Sequence, residues 1–191
     1  MEEKLKIVGI SGSLRKDSYN RKALHIAMQI VTDAGMDVEE IDLKELNLPL
    51  YDADIEARGF PESVLVLRSK VESADVILIA SPEYNHSITG VLKNTIDWLS
   101  TGKNVLDGKT AVIFGASTGP FGTLRAQFHL RQVLTALNVF LIPQPQVYIR
   151  FAKEAFNVDG SFNDPKVKNQ LKELITKSLR FTIATKNLNK Q

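Results

Sequence analysis

The stretch ISGSLRKDSYNRKAL, residues 10–24, places Ser11, Ser13, Ser18, Tyr19 and Asn20 around Arg15, directly after an apolar run. A helix that starts here presents unpaired backbone N–H groups and the positive end of its dipole, which attract phosphate. Ser11, Ser13, Ser18 and Asn20 add neutral donors, and Arg15 adds a forked, permanently charged one. Gly12 permits close backbone approach. A plain turn in which Asn20 or Ser18 caps the helix explains one of these residues and leaves Arg15 without a role. The triphosphate cradle GxxxxGK(S/T) is absent, and so is the dinucleotide pattern GxGxxG. A hydroxyl-rich loop of this kind suits a terminal phosphomonoester, whose three oxygens each need donors.

Two further loops carry unusual chemistry. In ASPEYNHSITGVLKNTIDWLS, residues 80–100, Pro82 and Gly90 bracket Tyr84, Asn85 and His86. The plain alternative is a turn with Ser87 or Asn85 as helix cap, and Trp98 and Leu99 read as core or interface residues. In FGASTGPFGTLRAQFHLRQ, Gly115, Gly119 and Gly122 with Ser117 and Thr118 make a compact, backbone-exposing loop able to offer amide donors to a planar, carbonyl-rich ring. His129 and Arg131, within the following helix, read as surface residues.

The elements that must position these loops follow from apolar periodicity. Strands are predicted at Leu5–Ile10, Val38–Leu43, Val76–Ala80, Thr110–Gly115 and Asn138–Ile142. Helices are predicted at Asn20–Ala34, Glu62–Ser73, Ile88–Leu99 and Thr123–Leu137, with a last helix opened by Asp164-Pro165. Residues 47–61 read as irregular, and Asn157–Ser161 as a tight turn. The alternation implies one α/β domain, a parallel sheet with right-handed crossovers and helices on both faces. Ligands of such sheets bind beyond the carboxyl ends of the strands, where strand order reverses. The three unusual loops follow strands one, three and four.

Composition narrows the class. The 191 residues are 43% apolar and 24% charged, ordinary values for a folded domain. A net charge of +2, with both signs spread along the chain, gives no electrostatic reason for a nucleic-acid partner. Without cysteine there is no disulfide, thiolate nucleophile or Cys-ligated zinc, and no metal is expected. No apolar run approaches membrane-spanning length, and the opening MEEKLKIVGI is too short and too acidic for a signal peptide, so a cytoplasmic protein is expected. The domain is expected over residues 1–185, with 186–191 a polar tail.

Together, GSLRKDSYNR (12–21), LPLYDADIE (48–56), PEYNHSITGVLKNTIDWLS (82–100) and GASTGPFGTLRAQFHLRQ (115–132) make the chain resemble the NADPH-dependent FMN reductase family, in the flavodoxin-like superfamily. It is similar to bacterial members described as quinone, chromate or azo-dye reductases. The resemblance implies a flavodoxin-like three-layer sandwich with a five-stranded parallel sheet in the order 2-1-3-4-5. It implies FMN as cofactor, with Ser11, Ser13, Leu14, Arg15, Ser18, Tyr19 and Asn20 at its phosphate and ribityl chain. Pro82, Glu83, Tyr84 and Asn85 would line one side of the isoalloxazine ring, and Ser117, Thr118 and Gly119 would donate to its polar edge. It further implies NADPH or NADH as electron donor, a small-molecule acceptor (a quinone, azo dye, chromate or free flavin) and a homodimer or homotetramer. Asp17 stands where a glycine is common, and His86 where an aromatic residue is common. No catalytic side chain is assigned, because a flavin carries its own chemistry. The alternatives are an FMN electron carrier that leaves nicotinamide unoxidised, against which the near-neutral charge argues, and a phosphate-binding regulator without flavin.

Overall fold

The computed structural model describes residues 4–188. In chain order its first half comprises β1 (Lys6–Ser11), α1 (Tyr19–Asp33), β2 (Asp37–Ile41), α2 (Leu43–Leu46), α3 (Ala53–Ala57), α4 (Glu62–Ser73) and β3 (Val76–Ala80). The second half comprises α5 (Gly90–Ser100), β4 (Thr110–Ala116), α6 (Leu124–Ala136), β5 (Phe140–Leu141), β6 (Val147–Ile149), α7 (Ala152–Ala155) and α8 (Pro165–Leu188). The strands form one parallel sheet in the order β2-β1-β3-β4-β5, as the resemblance implies.

The side-chain period of two divides the core into two layers. On one face, Ile7, Leu78 and Phe114 pack with Leu24 and Val31 of α1 and Leu171 and Ile175 of α8. On the other, Val8, Ile77 and Ile113 pack with Leu67 of α4, Ile96 of α5 and Leu130 and Leu134 of α6. Both faces of β3 and β4 are buried, which is why VILIA reads as an unbroken apolar run. Each such aliphatic side chain contributes about 1.5–3 kcal/mol relative to exposure.

Several expectations need correction. The strand expected at Val38–Leu43 ends at Ile41, because Asp42 caps a short helix that Leu43 begins. The fifth lane of the sheet is split: β5 covers Thr110 and Ala111 of β4, and β6 covers Phe114–Ala116. Pro143 and Pro145, between them, have no N–H to give a ladder, so the predicted strand ends early and pairing resumes at Val147. The segment expected to be irregular contains α3, whose N-cap Asp52 accepts the N–H of Asp54 at 2.8 Å.

α8 continues through Lys186, which pairs with Asp75 at 2.7 Å, to Leu188; the rest of the expected tail lies outside the described residues. Among the described residues no helix is long and apolar enough to cross a membrane.

Candidate functional site

The loops after β1, β3 and β4 meet at the carboxyl ends of their strands, around a cavity of about 160 Å³. Ser13, Arg15, Ser18, Tyr19 and Asn20 line it from the first loop. Pro82, Glu83 and Tyr84 line it from the second, and Ala116, Ser117 and Thr118 from the third. A contiguous recess bounded by Leu14, Arg15, Tyr84, Gly90 and Val91 extends it toward the start of α5. A larger groove of about 580 Å³ between α5 and α6 lies apart from the convergence of the three loops.

The first loop is fixed at its base. Gly12 donates its N–H to Ala80 at 2.8 Å, and its carbonyl accepts the Thr89 hydroxyl at 2.7 Å. The Ser18 hydroxyl oxygen caps α1, accepting the N–H groups of Asn20 and Arg21. The N–H groups of Ser18 and Tyr19 donate to no protein group among the described residues, and neither does the guanidinium of Arg15. Arg15 is exposed, and so is Asp17, which leaves the capping to Ser18. Ser11 ends β1 with a buried hydroxyl that has no protein partner, although such groups are nearly always paired. Asn20 is placed differently from the expectation: its buried side chain is bonded to the backbone of Ala116.

In the second loop, Tyr84 and Ser87 exchange both backbone hydrogen bonds at 3.0 Å across Asn85 and His86, which lie at φ 51° and 64°. Two successive left-handed residues define the tight turn that Asn favours. It leaves Tyr84 half exposed at the cavity mouth. Asn85 is at the turn tip and lines neither part of the cavity. The helix cap is Thr89 rather than Asn85 or Ser87, so α5 starts two residues later than predicted. Glu83 is nearly buried and its carboxylate is engaged by the start of α6.

In the third loop the Ser117 N–H is taken by the Ile149 carbonyl at 3.0 Å, while the N–H groups of Thr118 and Gly119 have no protein acceptor among the described residues. Gly119 anchors the loop through its carbonyl, which accepts the Phe151 N–H at 3.1 Å. Gly115 has no alternative residue: a Cβ there would lie 2.2 Å from both the Ser81 carbonyl oxygen and the Thr123 hydroxyl. Gly122, at φ 63°, would bring a Cβ to 2.8 Å from that of Tyr148.

His129 is exposed as expected and hydrogen-bonds Ser87 at 3.1 Å. Arg131 is half-buried rather than on the surface, and burial lowers its pKa. Thr89 and Arg125 are the residues that sequence reasoning missed. A Thr just before an apolar helix was a legible cap signal; nothing in the sequence marked Arg125 as the partner of Glu83.

The donor set fits a phosphorylated planar cofactor. It has free N–H groups and a guanidinium at one end and free amides at the other, while the orphaned hydroxyl of Ser11 is buried and lines neither part of the cavity. Comparison with known proteins agrees. The family described as NADPH-dependent FMN reductase matches residues 5–154. The chain is 45% identical over 174 residues to an NAD(P)H-dependent FMN reductase of Pseudomonas aeruginosa, covering 91% of this chain and 92% of that one. It is 42% identical over 176 residues to an NAD(P)H:quinone oxidoreductase of Solanum tuberosum, covering 90% and 89%. The solved structure of FerB, a flavoenzyme NAD(P)H:(acceptor) oxidoreductase from Paracoccus denitrificans, superposes with a TM-score of 0.83 at 32% identity, covering 93% of this chain and 97% of that one. With the matched residues spanning all three loops of the cavity, the chain belongs to the NADPH-dependent FMN reductase family.

Proposed function

We propose that this chain is an FMN-dependent NAD(P)H oxidoreductase that reduces quinones or similar acceptors, among them azo dyes, chromate and free flavin. The observation that carries the reading is the convergence of three loops on one cavity, with unpaired donors supplied by the first and the third. Arg15, Ser13 and the N–H groups of Ser18 and Tyr19 hold the phosphate, with Leu14 and Asn20 beside them and Ser11 buried at the end of β1. Their partial and full positive charge matches a dianion at a helix start. Pro82, Glu83 and Tyr84 flank the ring, with Asn85 beyond them at the turn tip, and Thr118 and Gly119 donate to its polar edge, with the Ser117 hydroxyl beside them. When bound, FMN supplies the hydride and electron chemistry between NAD(P)H and the acceptor. The chain's own contribution is to hold the ring edge against fixed amide donors, which stabilise charge building up there without reorganisation. The electron donor NAD(P)H is an intracellular metabolite, which supports a cytoplasmic location for the enzyme.

Exposed Leu14 and Tyr84 with Val91 at one end of α5, and exposed Leu50 and Tyr51 beside Asn94, form an apolar surface next to the site. Such a surface supports association as a homodimer, or as a homotetramer built from dimers. Light scattering at micromolar concentration tests this; a monomeric mass counts against it.

The activity is tested by titrating the apoprotein with FMN and then following NADPH and NADH oxidation with quinone, azo dye, chromate, free flavin and oxygen as acceptors. The expected result is saturable FMN binding and acceptor-dependent nicotinamide oxidation. FMN binding with no nicotinamide oxidation makes the chain an electron carrier. A protein that stays colourless after FMN addition and gel filtration is no flavoprotein.

A further inference from the structure

β3 and β4 run in parallel register up to Ala80 and Phe114, and Ser81 adds one more bond by donating its N–H to Phe114 at 3.1 Å. At Pro82 the chain turns away into the second site loop, so Glu83, whose N–H would be the next in this lane to face β4, does not donate to Ala116. β4 continues two residues further. Along a strand, backbone polar groups alternate between its two neighbours. Gly115 and Ser117 therefore face β6, while Ala116, like Phe114, faces the lane that β3 has just left. Buried backbone groups without partners are costly, so something must occupy that vacancy. The occupant is Asn20: its Nδ2 donates to the Ala116 carbonyl at 2.9 Å, and its Oδ1 accepts the Ala116 N–H at 2.8 Å. The carboxamide presents one donor and one acceptor, as a peptide group does. Asp would lack the donor.

We propose that Asn20 is a positioning residue for the flavin, joining the phosphate loop to the ring-edge loop in place of the β3 lane that ends after Ser81, and not a ligand of the phosphate through its side chain. This rests on the flavin reading above. Asn20 stands two residues beyond the Ser18 cap, and Ala116 leads directly into Ser117, Thr118 and Gly119. The paired bonds fix the distance between the donors for the cofactor's tail and those for its ring, and take no part in either set.

The test compares FMN with riboflavin, which has the ring and no phosphate, by fluorescence titration of the apoprotein. Asn20→Ala is expected to weaken both ligands by the same factor, on the order of tenfold for two lost neutral hydrogen bonds. Arg15→Ala, the control for a true phosphate contact, is expected to weaken FMN alone. An Asn20→Ala protein that loses FMN affinity and keeps that for riboflavin, or keeps both, overturns the proposal. Should that variant fail to fold, the wild-type protein still decides. Scalar coupling across the hydrogen bond from Asn20 Nδ2 to the Ala116 carbonyl is expected both without and with FMN, and its loss on adding FMN overturns the proposal. A wild-type chain that binds neither flavin overturns the flavin reading and this role together, and is distinguishable from each result above.

Discussion

Glu83 caps α6 from a different loop: its Oε2 accepts the backbone N–H of Arg125 at 2.9 Å, and its Oε1 accepts the guanidinium of the same residue at 3.2 Å. Thr123, at the ordinary capping position, makes no such side-chain bond. A carboxylate at a helix start meets both orphan N–H groups and the positive dipole end. Glu83→Ala is therefore expected to lower apoprotein stability by about 1–2 kcal/mol in urea unfolding. An unchanged midpoint would mean that the carboxylate contributes nothing as a cap.

Removing Arg15, a cation that lines the cavity, bears on the ligand directly. Arg15→Ala is expected to raise the FMN dissociation constant by about 10- to 100-fold, the worth of about 1.5–3 kcal/mol for a hydrogen bond to a charged group. Superimposable FMN titrations of variant and wild type would remove Arg15 from the phosphate site.

Arg68 is buried, at 8% exposure, and its guanidinium closes the far end of α5. It donates to the carbonyls of Trp98 at 2.7 Å, Thr101 at 3.1 Å and Lys103 at 2.6 Å, and lies 4.6 Å from the Phe60 ring centre. Arg68→Met leaves those carbonyls without a donor and should destabilise the apoprotein by about 2–4 kcal/mol. Denaturation followed by the fluorescence of Trp98 checks this, since that side chain is fully buried with its indole N–H on Pro49. A shift within error would mean that water replaces the guanidinium at little cost.

Glu56 is one source of pH dependence. The hydroxyls of Thr101 and then Tyr51 donate to its carboxylate at 2.6 and 2.9 Å and hold its pKa below the ordinary value. A carboxyl whose folded pKa is depressed stabilises the protein above its unfolded value and loses that contribution as pH falls through the folded one. Stability should accordingly decline as pH drops below about 4.3, the unfolded value of a glutamate. Glu56→Gln is expected to make that decline shallower, and parallel acid-unfolding curves would exclude the contribution.

Much of this architecture was legible before any coordinates, for identifiable reasons. Glu62–Ser73 and Val76–Ala80 were bounded as predicted because an amphipathic run and a two-sided buried run each end at a change of composition. The β6 strand was not legible, because VYI is too short to show a period and follows two prolines. α3 escaped for the same reason, with five residues amounting to little more than one turn. In the site, donor-rich loops announced themselves through residue type. Their ties did not, since the Asn20–Ala116 contact spans 96 residues and the Glu83–Arg125 contact spans 42. No local pattern encodes pairings at such separations, and the side chains involved read as ligands when they are partly fasteners.

The broken fifth lane also bears on strand addition at the margin of the sheet. An unpaired sheet margin is a template on which another chain can add a strand. Here that margin is cut into pieces of two and three residues on either side of a proline-containing gap. At the opposite margin, β2 carries Asp37, Glu39 and Glu40 within five residues. Neither rim offers the long, uncharged backbone that runaway stacking into fibrils requires, so the parallel sheet can stay buried in one molecule even at high concentration.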